Sequence, residues 1–107
     1  MELENSKIYQ LAGSVDFSSG AVVSRIVTKK ETGNITLFAF DQGQGLSEHS
    51  APFDAYVQIL EGQGRIVIDK ASFDMNTGEF ILMPANIPHA VFAPERFKML
   101  LIMIKSA

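Results

Sequence analysis

The sequence has no cysteine and no tryptophan, and only two histidines among its 107 residues. Without cysteine there can be no disulfide framework, thiolate metal site or cysteine nucleophile, so a bound metal is expected to rest on nitrogen and oxygen ligands. Charge of one sign is also sparse. The net charge is -3, and the nine basic residues are scattered, with Lys29-Lys30 the one adjacent pair. No basic stripe exists to track a phosphate backbone, so no nucleic-acid partner is expected. Long apolar runs are missing as well, which argues against a membrane span. The opening MELENSKIYQ is acidic and polar, unlike a secretory signal. A cytoplasmic location is expected.

Hydrophobic residues make up 47% of the chain and charged residues 20%, a balance that folds into a core. The length suits one domain, residues 1–107, burying roughly two thirds of its unfolded surface. Short β-rich runs recur at 21–28, 34–40, 46–50, 55–60, 65–69, 80–83, 89–92 and 97–104, and none carries a helical period. Turn formers punctuate them: Gly33/Asn34, Gly43/Gly45, Gly62/Gly64, Asn76/Gly78, Pro84/Asn86 and Pro94. Eight short strands at such intervals predict an all-β antiparallel sandwich or barrel. Ile66 and Ile68 alternate with Arg65 and Asp69, the period-2 pattern of a half-buried strand. The run 97–104 is apolar on nearly both faces, so it is expected to lie between the lumen and a second covered surface, supplied by a homodimer interface.

Two segments carry the chemistry. The first runs from Gly43 through His49, Ala51 and Ala55 to Gly62 and Gly64, and the second from Gly78 through Pro84, Asn86 and Pro88 to His89. Here the chain resembles the cupin superfamily. That family's first motif is a glycine, five residues, His-x-His, a glutamate a few positions on and a glycine after six more. Its second is a glycine, five residues, Pro-x-Gly, two residues, a histidine and then an asparagine four positions later. Gly43, His49, Gly62, Gly78, Pro84 and His89 agree with it, while Ala51, Ala55, Asn86 and Ala93 depart. The resemblance covers about a third of the chain and implies an antiparallel jelly-roll barrel. Asn86 replaces glycine with the next best residue for a left-handed position, and Gly62 and Gly64 suit a tight hairpin.

In the family, three histidines and a glutamate converge inside the barrel on a divalent metal. Two of those four positions are alanine here, which leaves His49 and His89 as the metal candidates, for an ion such as Zn, Ni, Fe or Mn bound weakly. Strand alternation directs Glu48 away from a lumen-facing His49, and Tyr56 and Gln58 away from an inward Ala55. Glu48 and Asp54 are expected to be solvated carboxylates, Lys29-Lys30-Glu31 and Pro94-Glu95-Arg96 solvated turns, and Met75 a packing residue. Met83, Met99 and Met103 either fill the core or line a soft apolar pocket. The expected function is small-molecule binding in the lumen with His49 and His89 as polar anchors. The alternatives are a metal-dependent dioxygenase or isomerase acting on a small organic substrate, and a structural or regulatory barrel with no ligand.

Overall fold

The computed structural model describes residues 3–105. Among them no α-helix forms. A single 3-10 turn, Leu11–Gly13, precedes β1 (Val22–Lys30), β2 (Gly33–Phe40), β3 (Gly45–His49), β4 (Phe53–Ile68), β5 (Ala71–Asn76), β6 (Phe80–Met83), β7 (His89–Phe92) and β8 (Phe97–Lys105). Every pairing is antiparallel, in the order β1-β2-β8-β4-β7-β3, with β5 and β6 both joined to β4. The result is the expected jelly-roll barrel.

β4 is one strand of 16 residues, where the sequence suggests two strands and a hairpin. Its first half pairs with β8 and β6, and its second half with β5 and β7, so one strand serves both walls of the barrel. The turn glycines bend it without reversing it. The register against β8 slips between Ile59 and Glu61, and Gly62 takes a left-handed φ of 80°. A slip with a left-handed glycine is the signature of a β-bulge, which turns a strand through a corner while keeping its direction. Gly64 has a different task. A Cβ there would lie 2.6 Å from a ring carbon of Phe97, so glycine is what lets the strand run against that ring. The true hairpin comes later, at Asp69 and Lys70 with φ of 46° and 75°, and leads into β5, a strand that the sequence reading lacks. Two positive φ values in a two-residue loop match the right-handed twist of the flanking strands.

The main core lies between the two walls. Phe40 stacks on Phe97 at 4.7 Å and on Phe38 at 5.7 Å, filling one end of the lumen. Val57, Ile59, Ile66, Met75, Met83, Val91 and Met99 continue it. β8 is covered on both faces at one end only, and there by the chain itself. Val15 with Leu11 and Phe17, from the N-terminal segment, packs on Leu37, Ala39 and Leu100 to form a second core. Lys98, buried on that outer face, clamps the segment: its Nζ donates to the Ala12 carbonyl at 2.6 Å and lies over the Phe17 ring. Arg96 is more than a solvated turn residue, since it also stacks over Phe17 and reaches Asp41 at 3.2 Å. Farther along the sheet, Phe80, Leu82 and Ile104 remain exposed on the same side.

Substituting Gly64→Ala should lower stability by about 1–3 kcal/mol, because the added methyl group must displace a fully buried, stacked ring. Urea denaturation measures it; an unchanged midpoint would refute the close-packing role assigned to Gly64.

Candidate functional site

His49 ends β3, His89 opens β7, and the two are direct cross-strand partners. Their rings meet edge to face with centroids 4.4 Å apart. His89 is buried at 5% exposure, while His49 is exposed, so the pair forms a gate from solvent to lumen. Each ring is oriented by its own backbone. His49 Nδ1 lies 2.7 Å from the Ser47 carbonyl, and His89 Nδ1 lies 3.2 Å from the Ile87 carbonyl. A carbonyl oxygen only accepts, so each Nδ1 carries the proton and each neutral ring keeps its lone pair on Nε2.

The turn that aims His89 is tied to the loop after His49. Asn86 adopts the expected left-handed φ, 66°, and its N–H donates to the Ala51 carbonyl at 2.8 Å. The Ala85 N–H donates to Asp54 Oδ1 at 3.0 Å. Asp54 is therefore a turn-holding acceptor and not a free solvated carboxylate; the sequence could not reveal this, because its partner lies 31 residues away on another element.

Behind the histidines lies a cavity of about 40 Å³, lined by both rings, by Met83, Met99 and Met103, and by Leu46, Ala55, Val91 and Leu101. That is room for very few waters, against the several hundred Å³ of sites for organic ligands. Ala55 faces inward at 1% exposure, as alternation predicts. Tyr56 and Gln58 point to the other side, where Tyr56 stacks on Phe80 and Gln58 donates to the Gly78 carbonyl. Glu48 is exposed. Among the described residues no neighbour replaces the missing carboxylate. The four-ligand divalent site implied by the resemblance therefore does not fit these residues, and among the described residues no three His, Cys, Asp or Glu side chains come together.

Burial holds the His89 pKa below the ordinary value of 6.5, and the nearby His49 adds to the effect, against a smaller opposing contribution from the Ile87 carbonyl. Because the unfolded chain takes up this proton more readily, stability should fall as the pH drops below 6.5 and level off below the folded-state pKa. The urea midpoint should be lower at about pH 5.5 than at about pH 7.5, and the difference should shrink in His89→Gln. An identical pH dependence in both proteins would remove His89 as its source. Asp41, whose pKa is lowered chiefly by the Gly20 N–H, loses its contribution only below 3.8, outside that window.

The cupin-domain profile matches residues 36–105. The fold superposes on a conserved protein of unknown function from Streptococcus pyogenes at a TM-score of 0.93, with 38% identity, covering 98% of this chain and 92% of that one. A cupin superfamily protein from Desulfitobacterium hafniense aligns at 0.91 with 28% identity, over 97% and 95% of the two chains. A cupin 2 conserved barrel domain protein from Leptotrichia buccalis aligns at 0.88 with 41% identity, over 91% of this chain but 47% of that one, so this chain spans about half its length. No curated protein matches the sequence. With the barrel, the paired histidine strands and a profile that spans most of the chain all in agreement, the protein belongs to the cupin family.

Proposed function

We propose that this protein binds a small ligand at the histidine-gated end of its barrel, with His49 and His89 as polar anchors and an otherwise apolar wall. The observation that carries this reading is the free pair of Nε2 atoms: each Nδ1–H is engaged by a backbone carbonyl, and no hydrogen bond among the described residues engages Nε2. The cavity volume restricts what enters to a few non-hydrogen atoms, or to one end group of a molecule that otherwise sits outside past His49. Among the described residues, Zn, Ni, Fe or Mn would find only these two nitrogens as nitrogen or oxygen side-chain ligands and is held weakly. A dioxygenase or isomerase reaction through such a metal finds no support in the donor set. The test is a fragment screen by NMR with methionine methyl groups labelled. Binders should shift Met99 and Met103 and lose affinity in His89→Gln; binders that shift only distant groups would overturn the reading.

The homodimer belongs to the same proposal. Phe80, Leu82 and Ile104 lie exposed on the outer face of the β6-β4-β8 wall, beside half-buried Tyr56 and Ile102. Apolar side chains grouped in this way favour self-association through that face. Light scattering at micromolar concentration should give twice 11.7 kDa, and Phe80→Glu should return the mass to the monomer value. A monomeric mass for the unaltered protein rules the dimer out.

A further inference from the structure

We infer that the cavity behind His49 and His89 is a site for a soft monovalent cation, Cu(I), held by the two imidazole Nε2 atoms and by methionine thioethers. This rests on the reading of that cavity as the ligand site and names the ligand class.

Sulfur is the donor that the absence of cysteine conceals. Met83, Met99 and Met103 all line the cavity that both histidine rings line; the Met103 Sδ also accepts a hydrogen bond from Asn34 Nδ2 at 3.8 Å, so Met83 and Met99 are the principal sulfur donors and Met103 joins them only by giving up that contact. Two of them stand on either side of the vacated ligand position. Ala55 sits where the family's carboxylate would be, and its cross-strand neighbours are Met83 on β6 and Met103 on β8. Cross-strand neighbours share a face, so Met83, Ala55 and Met103 form one inward row in which the oxygen donor is absent and thioethers flank the gap. Thioether and imidazole donors together suit Cu(I), whereas Mg, Ca and Mn prefer carboxylates, carbonyls and water.

Two further observations favour an ion. The cavity of about 40 Å³ accepts one cation and is too small for most organic molecules. The Nδ1–H groups of both histidines donate to carbonyls, at Ser47 and Ile87, the arrangement that fixes ring orientation and tautomer in histidine metal ligands. Core filling alone accounts for Met75, which is buried among the other core side chains and does not line the cavity. That residue supplies an internal control.

The experiment uses the full chain under anaerobic, reducing conditions. Cu(I) is supplied from a chromogenic chelator, and Ag(I) serves as a redox-inert probe followed through labelled methionine methyl groups. The expected result is one equivalent bound, with the Met83, Met99 and Met103 methyl resonances shifted and that of Met75 unmoved. Met83→Leu and Met99→Leu conserve side-chain volume. Each should lose Cu(I) to the chelator at concentrations where the parent retains it, with Zn(II) affinity unchanged. Cu(I) affinity equal in parent and leucine variants, or Zn(II) bound as tightly as Cu(I), overturns the inference. If Ag(I) moves no methionine resonance while fragments still bind at His89, the soft-metal inference fails and the ligand site stands. If neither binds there, both fail.

Discussion

The corner in β4 is the constraint on which the rest of the molecule depends. A strand that pairs with β8 and β6 along its first half and with β5 and β7 along its second must turn between Ile59 and Gly64 without losing its place in either wall. The bulge before Gly62 supplies the turn, and the bare Cα of Gly64 lets Phe97 press in from β8 at the inside of the bend. Phe97 then stacks on Phe40, which closes that end of the lumen with aromatic rings. Once one end is filled in this way, open space survives only toward the other end of β8, where Leu101 and Met103 face His89 across the cavity. The location of the site is thus a consequence of the corner.

The corner also explains which parts of the fold can be read from the sequence. Strands are legible in two ways: the second half of β4 alternates because burial on one face imposes that period, and β2 reads as a continuous branched and aromatic run because Leu37 and Ala39 enter one core while Phe40 enters the other. The sequence predicts a tight hairpin at Gly62 and Gly64; Gly62 is left-handed but serves a bulge, Gly64 is not left-handed, and only the pairing partners distinguish bulge from hairpin. Nothing in the sequence marks the hairpin at Asp69-Lys70, because neither residue is glycine. β5 is equally hidden: Ser72 and Asp74 look like loop chemistry, and of its six residues only Met75 is buried.

At the site, the histidines and the inward parity of Ala55 follow from motif spacing and alternation. What does not follow is anything that depends on contacts across long stretches of chain. Asp54 looks like a solvated carboxylate until the turn carrying Ala85 folds over it. The outer face of β8 looks like an interface until the N-terminal segment is found on half of it, pinned by Lys98. The methionines were visible as residues, but their grouping is set by register, with Met83 and Met103 meeting only through their common neighbour Ala55.

The same register bears on how this barrel can fold whether or not it holds an ion. A lumen lined with a carboxylate and three imidazoles concentrates polar groups that demand either a metal or a hydrogen-bonding partner, since leaving such a group buried and unpaired costs about 1–3 kcal/mol or more. Ala51 and Ala55 remove two such demands. The imidazoles that remain are each tied by Nδ1 to a carbonyl two residues earlier, Ser47 within β3 for His49 and Ile87 in the turn before β7 for His89. Among the described residues no fully buried side-chain nitrogen or oxygen lacks a partner. Thioethers complete the wall, and they cost little when dry because a methionine packs as a flexible apolar side chain. A histidine and methionine lumen is therefore stable without occupancy and still presents donors to a soft ion, so binding can be an equilibrium set by ligand supply and need not be a condition of folding.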